Sequence, residues 1–262
     1  MHAEYEVYAI QYATLPERLS SDNFLGGDPH DNAPMPLHYY IWVIRDADRV
    51  ILVDTGFNAE RAAARGRQID RNPIDALKVL GIAPDDVDTV IITHLHYDHA
   101  GNMDRLPLAR FVLQEAEMQW ATGPAMRHAL IRHPFELGDV QLMVALNYGE
   151  RLDWVNGDEE ITPGIWVHHL PGHSLGLQAV TVETVIGRIC LASDAAHFYD
   201  NIGYGLPFPI TADPAGQLAG HEAVVMLAER PELLVPGHDP RVNEMFEALA
   251  DDPLIFDLTK PL

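Results

Sequence analysis

The segment His94-Leu95-His96-Tyr97-Asp98-His99 places three imidazoles and a carboxylate within six residues. It follows the β-branched run Thr89 to Thr93, which predicts a short buried strand. At the end of a strand, residues two apart point to the same face, so His94 and His96 can reach one ion. Asp98 and His99 fall where the chain must turn and can reach a second. Buried imidazoles and carboxylates need partners, and this donor set suits a divalent cation. Three later positions share the setting. His173 sits in the turn Pro171-Gly172-His173-Ser174, Asp194 follows the apolar run Ile189 to Ala192, and His238 lies in Pro236-Gly237-His238-Asp239. Strand exits on one sheet edge converge, so these residues supply the ligands that the first cluster lacks. Two divalent cations would lower the pKa of a shared water towards neutrality, and the hydroxide would attack a carbonyl or phosphoryl centre. Asp98 could take a proton from the attacking water. Zinc is the default for such a histidine-rich site, with iron, manganese or cobalt also compatible.

The elements that must position these residues are legible as short runs. Tyr5 to Tyr12 reads as a strand, followed by a Gly-, Pro-, Asp- and Asn-rich loop from Ser20 to Pro36. Tyr39 to Ile44 and Val50 to Val53 form a hairpin around Asp46-Ala47-Asp48, and the second strand ends in Asp54-Thr55-Gly56. Helices are expected over Ala59 to Arg65, Ile74 to Leu80 (closed by Gly81) and Glu115 to Ala121. Phe111-Val112-Leu113 is a brief strand, and Gly123 to Asn156 reads as an irregular insertion over a pocket. Strands resume at Ile165 to His168, Ala179 to Glu183 and Ile189 to Ala192, with Leu233-Leu234-Val235 as the last. Strands in both halves with helices between and outside suggest two packed sheets covered by helices.

Composition narrows the classes. With 262 residues, 47% of them hydrophobic, one elaborated domain spanning 1–262 is expected. Cys190 is the only cysteine, which rules out an intrachain disulfide framework and a multi-cysteine zinc site. No apolar run is long enough for a membrane span, and the acidic start Met1 to Glu6 lacks the pattern of a secretory signal, so a cytoplasmic location is expected. The formal net charge of −22 argues against nucleic acid, because such a surface repels phosphate backbones. It identifies no partner, is compatible with a neutral small-molecule substrate, and leaves monomer and homodimer both open.

The order and spacing of His94, His96, Asp98, His99, His173, Asp194 and His238 resemble the metallo-β-lactamase superfamily over most of the chain, from Asp54 to His238. The resemblance implies an αββα four-layer sandwich with a two-metal centre at the sheet edge. It implies that His94, His96 and His173 hold one ion, that Asp98, His99 and His238 hold the other, and that Asp194 bridges them. It also makes Asp54 a residue that orients a ligand histidine. Within the superfamily, HLHYDHAGN at His94 to Asn102, PGHSLG at Pro171 to Gly176 and the polar Asn23-to-Pro36 loop are similar to the N-acyl homoserine lactonases. That implies a quorum-quenching lactonase, a carboxylic ester hydrolase acting on a neutral lactone. Other hydrolases on the same centre (thioesterase, amidase, phosphodiesterase) are alternatives, as is a mononuclear iron persulfide dioxygenase.

One position departs from those lactonases, in which a tyrosine stands three residues after the bridging aspartate. Here it is His197, whose imidazole could donate the same hydrogen bond or act as general acid, with Tyr199 as a second candidate. His128, His133 and His221 lack ligand company and read as surface or satisfied core residues. Only one of His168 and His169 should face inward. Phe24, Met35 and the Phe198-to-Phe208 segment are candidates for an apolar wall, with ordinary packing as the plainer reading.

Overall fold

The computed structural model describes residues 5–262; the start Met1 to Glu4, read above for targeting, lies outside them. Fourteen strands build two sheets among the described residues. They are β1 (Glu6–Leu15), β2 (Leu37–Arg45), β3 (Val50–Val53), β4 (Gln68–Ile69), β5 (Thr89–Ile91), β6 (Arg110–Gln114), β7 (Leu152–Val155), β8 (Glu159–Thr162), β9 (Ile165–His169), β10 (Gln178–Thr184), β11 (Gly187–Ser193), β12 (Leu234–Pro236), β13 (Phe246–Leu249) and β14 (Asp252–Pro261). The larger sheet runs β13-β14-β1-β2-β3-β5-β6-β7, with β4 on β1; the smaller runs β12-β11-β10-β9-β8.

Alternation along the strands explains the layers. Val7, Ala9, Trp42, Ile44, Val53, Ile91 and Val112 meet Val167, Val180, Val182, Leu191 and Val235 between the sheets. Their sequence neighbours Tyr8, Ile10, Ile41, Val43, Leu52, Val90 and Phe111 point the other way, against Leu77, Met143 and Leu146 of the covering helical segments. On the far side, Ala179, Cys190 and Ala192 pack against Val224 and Ala228 of the segment around helix Pro214–Leu227. Both sheets are therefore apolar on two faces, and the result is the expected αββα sandwich.

Several elements differ from the sequence expectation. The stretch 123–156 is an ordered cover, containing helix Leu137–Tyr148 and strand β7. Its helical pattern is blurred because Val140, Met143 and Leu146 are buried while Leu137, Val144 and Tyr148 are exposed. Ile74 to Leu80 is a short α-turn, Pro73–Ala76, continued by a 3-10 turn over Leu77–Leu80 and closed at Gly81 with φ +73. Leu234–Pro236 is not the last strand, since β13 and β14 follow. Residues Ile255 to Asp257 of β14 pair with Tyr8 to Ile10 of β1. In β14, Ile255-Phe256-Asp257-Leu258 is buried on both faces, which erases the period-2 signal.

Parallel order places the chemistry. β3, β5 and β6 run parallel, and so do β11 and β12. The ends of β3, β5, β11 and β12 thus deliver Asp54, His94, Asp194 and His238 to one edge of the sandwich.

Candidate metal centre

Three anchoring arrangements leave ligand nitrogens free. Asp54, just past β3 and fully buried, accepts from Thr93 N and Thr93 Oγ1 (both 2.8 Å) and from His99 Nδ1 (2.7 Å). Its φ of +64 is a left-handed conformation that aspartate tolerates better than most residues. His238 Nδ1 donates to the carbonyl of His38 at 2.8 Å, and His94 Nδ1 lies 3.1 Å from Thr93 Oγ1. In each ring Nε2 is then the atom turned to the site. For His99 and His238, donation from Nδ1 keeps the Nε2 lone pair available to a cation.

These nitrogens converge on Asp194. Its Oδ2 lies 3.7 Å from His94 Nε2 and 3.1 Å from His173 Nε2, while Oδ1 lies 3.4 Å from His99 Nε2 and 3.0 Å from His238 Nε2. His173 Nε2 is 2.9 Å from His96 Nδ1, and Asp98 Oδ2 is 3.8 Å from His99 Nε2 and 3.9 Å from His238 Nε2. Donor atoms about 2.1 Å from a tetrahedral ion lie about 3.4 Å from one another, so the separations are those of ligands around shared centres. His94, His96, His173 and Asp194 form one such group; Asp98, His99 and His238 form another. Among the described residues, buried His94 Nε2, His99 Nε2 and Asp194 Oδ1 have no hydrogen-bond partner, which fits donors meant for cations.

Electrostatics agree with that arrangement. Burial, reinforced by His99 and His96, holds the His94 pKa well below the ordinary imidazole value. His96 is lowered likewise by burial and His173. Both rings are neutral at physiological pH, the form that ligates. Against burial, which opposes charge, Asp194, Asp54 and Asp98 raise His99 well above its ordinary value. Three carboxylates facing one ring create a strong local demand for positive charge. Asp194 stays ionised although buried, because His197, His238, His99 and His173 outweigh its desolvation.

Two further side-chain links, not legible in the sequence, support the cluster. Glu117, buried in helix Glu115–Ala121, accepts from Leu95 N (2.8 Å), Gly176 N (3.0 Å) and Ser174 Oγ, and so ties the turn carrying His94 and His96 to the turn carrying His173. A Cβ on Gly176 would lie 2.0 Å from Glu117 N, so only glycine allows that approach. No periodicity marks Glu117; a glutamate in a first helical turn usually faces solvent. Thr93 Oγ1 also meets Ser193 Oγ at 2.9 Å, linking the ends of β5 and β11.

His197 stands against the cluster. It is buried, with Nε2 3.0 Å from Asp194 Oδ2 and its ring stacked on Phe208 at 3.7 Å. Tyr199 is placed elsewhere: its hydroxyl donates to the Leu234 carbonyl at 2.8 Å, and its ring packs beneath Arg241 rather than in the cleft. The backbone of the following turn fixes this, because Tyr199 N donates to Asp239. Of the proposed apolar wall, Phe24 and Phe198 are buried packing, Met35 lies outside the site, and only Phe208 lines the cleft. The insertion fills the role instead: Leu130, Ile131, Pro134 and Phe135, with Trp120 and Ile210, line an apolar groove beside His96 and His173. His133, set aside above, stands exposed where cleft and groove meet. His221 is buried, but its ring nitrogens have no partner among the described residues, so it is not the satisfied core residue expected.

The fold and the order of these His and Asp residues point to one class of protein. The sequence profile of the Metallo-beta-lactamase superfamily matches residues 35–238, and the chain belongs to that superfamily. An N-acyl homoserine lactonase of Bacillus thuringiensis is 30% identical over 171 residues, covering 63% of this chain and 61% of that protein. The chain spans 49% to 69% of the length of such curated relatives. Among solved structures, an N-acyl homoserine lactone hydrolase with N-hexanoyl-L-homoserine bound at its catalytic metal center is 24% identical, with a TM-score of 0.72 and coverage of 93% and 96%. AidC, a dizinc quorum-quenching lactonase, is 15% identical, with a TM-score of 0.73 and coverage of 92% and 89%.

Proposed function

We propose that the protein is a dinuclear metal-dependent hydrolase that opens a lactone, either an N-acyl homoserine lactone or a related cyclic ester. The observation that carries this is the division of Asp194, whose Oδ2 faces His94 and His173 while Oδ1 faces His99 and His238. Two divalent cations held there, zinc by preference for this donor set, would activate a water and polarise the scissile carbonyl. His94, His96 and His173 would hold one, Asp98, His99 and His238 the other, and Asp194 both. The names of the curated relatives support the lactone as substrate.

The remaining residues orient and move protons. Asp98, half-buried and open to the cleft, is placed to accept a proton from the attacking water and pass it to the leaving alkoxide. His197 holds the Asp194 carboxylate in register through its 3.0 Å contact, and the Phe208 stack fixes the imidazole plane. It is a positioning residue. The groove at Trp120 and Phe135 receives the apolar part of the substrate.

The test is a panel of lactones, thioesters, β-lactams and phosphodiesters assayed with protein loaded with two metal equivalents. Lactone turnover is expected, and His96→Ala should lose metal and turnover together. Absence of lactone hydrolysis by the loaded protein would overturn this assignment.

A further inference from the structure

The cleft beside the ligand cluster is basic, in a chain that carries 39 acidic residues against 17 lysines and arginines. Arg18, Arg65 and Arg67 all line it, together with Tyr39, Tyr97 and Asp98. Pairing with a carboxylate is the commoner rule elsewhere, as in Arg45–Glu6, Arg71–Asp252, Arg110–Asp153 and Arg241–Asp200, although Arg132, Arg151 and Arg230 bond only to carbonyls among the described residues. Arg65 follows that rule through Glu136 and lies flat over Tyr97 at 4.0 Å. Arg18 and Arg67 do not: among the described residues neither makes an ion pair. Arg18 is held by neutral acceptors, Asn23 Oδ1 and the Asp22 carbonyl, and stands over the Phe208 ring at 5.0 Å. Arg67 donates Nε to the Tyr97 hydroxyl at 3.0 Å and Nη1 to the Arg65 carbonyl at 2.8 Å.

Two half-buried guanidiniums without a direct ion pair repel each other, and Asp22 and Asp98 act on Arg18 and Arg67 only through space. Burial lowers Arg18 from its ordinary value, and the charge of Arg67 adds to that effect. The carboxylates of the same cleft, Asp98 and Asp194, face the histidines. With so many acids in the chain, leaving these two cations unpaired at the mouth of the centre has a cost that an incoming anion would relieve. Rigid tethering matters too, since Tyr97, adjacent to Asp98, joins Arg67 to Tyr39 through a 3.2 Å hydroxyl contact.

We infer that the substrate carries a carboxylate, which Arg18 and Arg67 bind while the ester carbonyl lies over the histidine cluster. The inference rests on the hydrolase proposed above and replaces a neutral lactone with an anionic one. It makes Arg18 and Arg67 specificity-determining residues, reversing locally what the overall charge of the chain suggests.

The test uses metal-loaded protein and two lactones of one ring size: a γ-butyrolactone bearing a ring carboxylate at C5, and γ-valerolactone, which carries a methyl group there. Binding of their ring-opened hydroxy acids is measured by calorimetry in parallel. The carboxylate lactone should show at least about tenfold higher kcat/KM, the ratio expected from one charge-assisted hydrogen bond, and the advantage should shrink with added salt. Arg67→Gln and Arg18→Gln should each reduce that ratio about tenfold, with Arg67→Lys recovering part of it. Equal turnover of both lactones, or a ratio unmoved by either glutamine, overturns the inference and leaves the hydrolase standing. No turnover of either, with the dicarboxylate product still bound tenfold more tightly in an Arg67-dependent way, overturns the lactone assignment and supports the inference. No turnover and no binding preference overturns both.

Discussion

Asp54→Asn isolates the contribution of a single buried carboxylate to one half of the proposed centre. Asparagine tolerates the φ of +64 at this position, so the backbone turn is kept. The carboxylate accepts from three donors, Thr93 N, Thr93 Oγ1 and His99 Nδ1. An amide has one oxygen, so its NH2 must face either Thr93 N–H or the His99 ring. The first arrangement leaves a buried donor unpaired. The second moves the His99 proton to Nε2 and removes the lone pair aimed at the site. One lost hydrogen bond to a charged group costs about 1.5–3 kcal/mol, which lowers Tm by roughly 3–12 °C for a chain of this size. Loss of a partner that orients a metal-ligating histidine costs about 10- to 100-fold in metal affinity, or about 1.4–2.7 kcal/mol. The effect should fall on the ion held by Asp98, His99 and His238, because Asp54 touches no other ligand ring. Competition of zinc against a chromophoric chelator resolves the two affinities. The expected outcome is one weakened site and one nearly unchanged. Equal weakening of both sites, or none, would refute the assignment of Asp54 to His99.

Three further outcomes follow from the geometry. A Cβ at position 237 would lie 2.7 Å from Asp194 Oδ1, so Gly237→Ala should displace the bridging carboxylate and lower metal content to one equivalent or less, measured by elemental analysis on protein with native far-UV circular dichroism. Glu117→Gln puts an amide donor against either Leu95 N or Gly176 N; urea denaturation should show a loss of about 1–3 kcal/mol, with zinc affinity weakened chiefly at the His94, His96, His173 site. Hydrogen bonding to Arg71 depresses the pKa of Asp252, so its contribution is full above the unfolded carboxylate value of about 3.9 and is lost as pH falls through the lower folded value. Asp252→Asn should therefore cost about 1 kcal/mol at pH 7 by urea denaturation, and the difference from the parent chain should vanish in acid.

The convergence of the His and Asp residues was legible because most of them sit at the exit of a short apolar strand, or in the turn just beyond it, and the strand ends fix direction locally. His94, His96, His173, Asp194 and His238 therefore appear from sequence where the sheet edge places them. Asp54 was legible for the same reason. Features that depend on distant packing were not. Arg18 and Arg67 lie on separate loops, and only the fold shows that they share a cleft. Tyr199 is only five residues from Asp194 in sequence, yet the non-helical turn between them and the Tyr199 N–H bond to Asp239 carry its hydroxyl to Leu234. Glu117 reads as an ordinary surface position of a helix until the glycine turn at Gly176 is packed on it. Helix Pro214–Leu227 did carry a signal, an aspartate N-cap followed by proline at the first helical position. Strand β14 did not, being buried on both faces over its central residues.

We propose that two ions share Asp194. The most direct test is a crystal structure of zinc-loaded protein with anomalous scattering recorded at the zinc edge. Two peaks about 3.5–4 Å apart are predicted, one beside each oxygen of Asp194 and each completed by its own trio, His94, His96 and His173 or Asp98, His99 and His238. A single fully occupied peak, or two peaks with Asp194 coordinating neither, would contradict the account.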